Sequence, residues 1–200
     1  MKYFQIVIFM IMVSITSVKA DEATDWLGVE IDNILNAYKN LNLSDEERFN
    51  LIETTINKNF AGAGIAKFVA GKSWGSANKD TKREYVKIFK RHLALNIASM
   101  MQGYSDQEYK FVNSIFDKKN GINLIDMEIS NNTSKLLVTW RLKKSKERYY
   151  VIDLLVADIS LIVTKRSEFN SMIKKVDNSL NKFIDVLKKQ NKISYSKLID

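Results

Sequence analysis

The chain has 200 residues, 46% hydrophobic and 10% aromatic, with 31 Lys and Arg against 23 Asp and Glu, one His, and neither Cys nor Pro. That apolar supply offsets the entropy of ordering, so the composition excludes intrinsic disorder and suits one packed domain. The absence of Cys excludes disulfides, thiolate metal sites and cysteine nucleophiles; the single His92 excludes a histidine-rich metal site, and no Walker-type or G-x-G-x-x-G phosphate loop occurs.

Residues 1–20 have the layout of a secretory signal. Lys2 supplies the positive start, Tyr3 to Val13 is apolar except for Gln5, and small residues lead to Ala20, with Val18 and Ala20 at the positions a signal peptidase inspects. The apolar run is too short to span a bilayer comfortably. Cleavage after Ala20 would leave one domain, residues 21–200. Without Lys2 and Lys19 that chain carries 29 basic and 23 acidic groups. Such a balance suits an anionic lipid surface or an acidic partner, and export removes nucleic acid as a ligand. Asn42, Asn131 and Asn132 fall in N-x-[ST] sequons, which an Asn-rich chain produces by chance.

Helices come first. Leu27, Ile31, Ile34, Leu35, Tyr38 and Leu41 recur at three- and four-residue steps and predict one amphipathic helix. Ser44 with Glu47 three residues on is a capping box for a second, striped by Phe49, Ile52, Ile56 and Phe60. A short helix through Ile65, Phe68 and Val69 should end at Gly71. A long one, Lys79 to Gln102, carries Tyr85, Phe89, Leu93, Ile97 and Met100 and stops near Gly103.

From about Glu108 the period becomes two. Tyr109 to Ile115 is read as a strand in preference to a short capped helix, and Ile122 to Ile129 as another, turned by Asn131-Asn132-Thr133. Leu136, Val138, Trp140 and Leu142 alternate with their neighbours in strand spacing, and Tyr149 to Val156 is nearly continuously apolar. Leu161 to Lys175 and Leu180 to Lys189 return to helix. Helices, an antiparallel meander, then helices predict an α+β fold of about four strands.

Catalytic chemistry is hard to assemble. His92 lies on or beside the apolar stripe of the long helix, where a packing role is the ordinary outcome. Asp126, Asp153 and Asp158 are the carboxylates nearest apolar strands, and an Asp in a closed apolar pocket can act as a base of raised pKa. For Asp153 the simpler expectation is a pair with Arg141 or Arg166, because a buried carboxylate needs a cation. The apolar side chains either fill a core or line a hollow that admits a greasy ligand; periodicity alone leaves both open.

Two stretches carry a resemblance. Phe60 to Leu93, FAGAGIAKFVAGKSWGSANKDTKREYVKIFKRHL, and Val138 to Phe169, VTWRLKKSKERYYVIDLLVADISLIVTKRSEF, resemble the MlaC-type periplasmic phospholipid-binding proteins, also called the toluene-tolerance auxiliary family. The first holds an Ile-Ala-x-x-Val-x-Gly-x-x-Trp segment and a helix with aromatic-x3-Phe. The second holds a strand–turn–strand ending in Val-x-Asp and an Arg-Ser-x-Phe helix. Gly75 stands where Arg is common, Lys165 where Tyr is frequent, and Asp158 and Asp177 where Gly is usual.

The resemblance implies a twisted antiparallel sheet packed with helices around a deep apolar cavity, no catalysis and no cofactor. It implies a monomeric periplasmic carrier that exchanges phospholipid with an inner-membrane lipid ABC transporter complex and an outer-membrane lipoprotein–porin complex. Inward positions of the matching motifs are the expected lipid contacts: Phe68, Val69, Trp74, Tyr85, Phe89 and Leu93 from the helices, Met127, Ile129, Val138, Trp140, Val151, Leu155 and Ile159 from the strands, and Phe169 and Ile173 from the following helix. Arg141 and Arg166 are candidates to meet phosphate at the mouth. The alternatives are a carrier of another lipid such as a hopanoid, a small enzyme using Asp153 or Asp126, and an interaction module with a solid core.

Overall fold

The structure, a computed structural model, describes residues 21–40, 42–102, 107–131 and 134–199. The signal segment, Leu41, the stop at Gly103 and the Asn132-Thr133 part of the predicted turn lie outside the described residues. Helix α1 (Glu22–Lys39) starts where the Thr24 N–H donates to Asp21 Oδ1 at 2.8 Å. Helix α2 (Asp45–Asn59) opens on the expected capping box, the Ser44 hydroxyl and the Glu47 carboxylate each binding the other's backbone N–H. Helix α3 (Gly62–Ala70) ends at Gly71, whose φ of +58° is open to glycine at little cost; a Cβ there would lie 2.9 Å from Asn170 Oδ1. A single turn, α4 (Ser73–Ser76), precedes α5 (Lys79–Met101), which Asn78 caps.

Strands β1 (Glu108–Asp117), β2 (Ile122–Ser130), β3 (Lys135–Ser145), β4 (Arg148–Val156) and β5 (Ile159–Ser160) form one antiparallel sheet in the order β1-β2-β3-β4-β5. The α+β expectation holds, with a fifth, two-residue strand that no periodicity could signal. Helix α6 (Leu161–Lys174) follows directly, and α7 (Leu180–Ile199) runs ten residues past its expected end. No Gly or Pro stops it at Lys189, and its buried face continues through Asn191 and Leu198. The chain between α2 and α3 also docks on the sheet: Phe60 bridges Val151, and the Ala61 N–H donates to the Val151 carbonyl at 2.9 Å.

The two Asp residues that stand in place of the resembled family's Gly both take left-handed backbone, Asp158 at φ 64° and Asp177 at φ 58°. Asp tolerates this region better than most residues. Ala157 beside Asp158 is also positive, φ 47°, so the β4–β5 turn bends with the strand twist. Asp158→Gly is therefore expected to raise stability by up to about 1 kcal/mol, and Ala157→Val to lower it by about 1–2 kcal/mol, in chemical denaturation.

Candidate functional site

Strand register decides which side chains face the helices. Met127 pairs with Val138, Ile125 with Trp140 and Ile129 with Leu136, while on the next strand Trp140 pairs with Leu154 and Leu142 with Val151. These residues share one side, which α1 crosses. Tyr109 donates to Asp32 Oδ1 at 2.6 Å, Tyr149 to Glu22 Oε2 at 3.1 Å, and Lys144 Nζ lies 2.7 Å from the same oxygen; Ser114 bonds Asp21. The Lys144 and Tyr149 hydrogen bonds hold the Glu22 carboxyl below its usual range. Polar bonds thus tie α1 down along its length over an apolar sheet surface.

Five of the expected contacts, Met127, Ile129, Val138, Trp140 and Val151, lie on that side. Leu155 does not. It pairs with Thr139 on the opposite side, because the register slips between Arg141 and Leu142 and an extra residue, Ile152, turns the alternation over. A second slip at Val112 does the same within β1.

From the helices, Val69, Tyr85, Phe89, Leu93, Phe169 and Ile173 are all buried and Trp74 is half-buried. Their rings meet. Phe169 and Phe183 are 4.9 Å apart between centroids, Phe89 and Phe169 6.0 Å, Tyr85 and Phe89 5.9 Å, and Trp74 and Tyr85 6.4 Å. In this part of the interior the rings pack one against another. Two hollows of about 420 and 250 Å³ open on the surface, and none of the fifteen expected contacts lines either. Two expected contacts are surface residues instead. Phe68 is 43% exposed beneath the Arg166 guanidinium, 4.4 Å from its ring, and Ile159 is 64% exposed beside the β4–β5 turn.

The polar interior is sparse. The Tyr85 hydroxyl and the Trp140 indole N–H are buried without a hydrogen-bond partner among the described residues, and burial pushes the Tyr85 pKa far up. Asp153, 4% exposed, accepts from Ser160 Oγ at 2.7 Å, from the Leu154 and Ile162 N–H groups at 2.8 and 3.2 Å, and from Arg141 at 3.4 Å. It clamps β4 to β5 and α6, so its lone pairs are committed to holding the fold. Arg166, the other expected partner, donates to the Phe68 carbonyl at 2.9 Å. Asp126 accepts from Thr139 at 2.6 Å and Asn113 at 3.1 Å on the side of the sheet away from α1. Neither carboxylate sits in an apolar pocket.

His92 is a packing residue. Its Nδ1 is 2.9 Å from Asn191 Oδ1 and its ring 5.3 Å from that of Phe169. Burial lowers its pKa below the ordinary 6.5, against the raising effect of the hydrogen bond its ring donates to Asn191 Oδ1 and with Lys165 and Glu168 nearby. The unfolded chain therefore takes up a proton near pH 6.5 that the folded one refuses, and stability falls as pH drops below that value, by at most about 1.4 kcal/mol per unit. Thermal melts at pH 7.5 and 5 should show a smaller acid loss for His92→Gln than for the wild type.

Among the described residues no helix is long and apolar enough to cross a membrane, and no group of three His, Asp or Glu could hold a metal ion. The family model described as MlaC protein matches residues 30–189. The chain belongs to the MlaC family. A solved structure of the phospholipid-binding protein from Ralstonia solanacearum, in complex with a phospholipid, is similar to this MlaC-family chain with a TM-score of 0.76 and 16% identity, covering 88% of this chain and 99% of that one. At that identity the likeness establishes the fold. No curated protein matches the chain.

Proposed function

We propose that this chain is a periplasmic phospholipid carrier, exported by residues 1–20, that sheathes acyl chains between the α1-facing side of the sheet and the helices. It would hand lipid between an inner-membrane lipid transporter and an outer-membrane lipoprotein–porin complex. The observation that supports this most is the likeness, over 99% of that chain, to a fold solved with a phospholipid in it.

The physics requires such a container. Two sixteen-carbon chains carry about thirty methylenes, and exposing them to water costs on the order of 20–25 kcal/mol at roughly 0.8 kcal/mol each. Met127, Val138, Trp140, Val151, Phe89 and Phe169 offer the tails apolar surface once sheet and helices part. The Tyr85 hydroxyl and Trp140 N–H, which have no protein acceptor among the described residues, give an entering ester oxygen a donor. Few other polar groups converge there, so the headgroup is left to the surface.

The packing of the Phe89, Phe169 and Phe183 rings favours one rival, an interaction module with a solid core. Native mass spectrometry decides between them. Protein prepared without detergent from a bacterial host should carry phospholipid, and the extracted lipid identifies a hopanoid carrier if that is what it is. An apo mass that takes up nothing from phospholipid vesicles overturns the carrier and leaves the rival.

A further inference from the structure

The larger surface hollow, about 420 Å³, is used by nothing described so far. Phe60, Gly62, Lys90, Lys143, Tyr150 and Ile152 line it, and Lys143 pairs with Tyr150 on the side of the sheet away from α1. Three features of this groove point to an anion with apolar substance attached.

Its charge is uncompensated. No carboxylate lines the groove, and among the described residues neither Lys90 nor Lys143 forms an ion pair; Lys90 Nζ reaches the Asn57 carbonyl at 3.4 Å. Arg148 adds a third cation at the rim, stacked on the Tyr150 ring at 5.0 Å and held by the Lys58 carbonyl at 2.8 Å.

Its shape is held. The stem of Lys90 lies across Gly62, where a Cβ would come 2.8 Å from Lys90 Cδ and 2.9 Å from its Cγ. Only glycine at this position lets the lysine lie where it does. Its wall is mixed, with Phe60 and Ile152 beside the Tyr150 hydroxyl and Ser145. A bare inorganic ion has no use for the aromatic and aliphatic wall, whereas a phosphodiester on a glycerol has.

From this we infer that the groove is a phosphate-binding site whose ligand is the phosphodiester of a glycerophospholipid headgroup, with free phosphate as the other source of the same chemistry. The phospholipid source rests on the carrier reading above; the anion site itself does not. Lys90 and Lys143 supply the charge, Tyr150 a hydroxyl donor, and Gly62 the room that positions Lys90.

Backbone amide chemical shifts of the full mature chain test this. Glycerophosphoglycerol, a diester headgroup without acyl chains, should shift the Gly62, Gly64, Ser145 and Tyr150 amides saturably, and added salt should weaken it. The double variant Lys90→Met, Lys143→Met should bind at least tenfold more weakly. Gly62→Ala, which leaves the charges in place, should weaken binding several-fold while the melting temperature stays near that of the wild type. Inorganic phosphate bound more weakly than the diester assigns the headgroup, and phosphate bound as tightly assigns the free ion. Shifts confined to other amides, binding unchanged in the double variant, or tighter binding of poly-glutamate at the same amides would overturn the site. A silent groove in protein that copurifies with phospholipid sinks the groove alone. Diester binding in protein that never takes up lipid sinks the carrier reading alone.

Discussion

Asp153→Ala is expected to cost about 3–5 kcal/mol of stability, among the largest effects of any single substitution in the chain. The carboxylate is 4% exposed and accepts four hydrogen bonds, two from the Leu154 and Ile162 backbone N–H groups and two from the Ser160 and Arg141 side chains. Alanine leaves the Leu154 and Ile162 N–H groups without their acceptor, and each orphaned buried group costs about 1–3 kcal/mol, while the partly exposed Arg141 guanidinium turns to water. Asp153→Asn should cost less, because an amide oxygen still accepts from one backbone donor. Urea denaturation checks this through the transition midpoint. The same variant tests the role assigned to the residue: if Asp153 only clamps β4 to β5 and α6, any lost lipid uptake should follow the lost folded fraction. A stable Asp153→Ala protein with its uptake abolished would show that the carboxylate does more than hold the fold.

What the sequence made legible follows from which signals are local. The α1 stripe from Leu27 to Tyr38 and the Ser44–Glu47 capping box are set by spacing within one or two turns, and both appear as expected. The change of period at Glu108 placed the meander, and alternation put Met127, Ile129, Val138 and Trp140 on one side of the sheet. Leu155 shows where this runs out. A bulge depends on how two strands meet, so the extra residue at Ile152 is invisible in either strand alone, and counting by twos from Val151 lands on the wrong side. The exposure of Phe68 has a similar origin. At the last turn of α3 an apolar residue faces either the core or the surface, depending on where α6 lies, and here α6 brings Arg166 over its ring. The surface groove combines residues from α3, α5, β3 and β4, far apart in the chain, and Lys90 and Lys143 carry no shared motif. At Asp158 and Asp177 the observed left-handed backbone is a physical reason for the glycine usual in the resembled family.

Phe169→Ala bears most directly on whether the interior is a filled core or a lining that can part. Phe169 is 1% exposed, with the rings of Phe183, Phe89 and His92 at 4.9, 6.0 and 5.3 Å. The Phe183 and Phe89 contacts are edge-on, a geometry worth about 0.5–1.5 kcal/mol per pair beyond burial. Truncation in a well-packed site removes that and leaves a void, for a total of about 3–5 kcal/mol, against under about 1 kcal/mol for Phe68→Ala at the surface. The lipid-free protein should show the full loss in urea, with the slope of the transition unchanged. The lipid-loaded protein should show a much smaller difference between wild type and Phe169→Ala, because a carrier that has parted its helices around acyl chains no longer holds Phe169 against Phe183, and tail methylenes can fill the space alanine vacates. A solid-core module has no second state, so its loss would be the same whether or not lipid is supplied. Equal losses with and without phospholipid, in a protein shown to hold that phospholipid, would mean the tails lie somewhere other than against this ring.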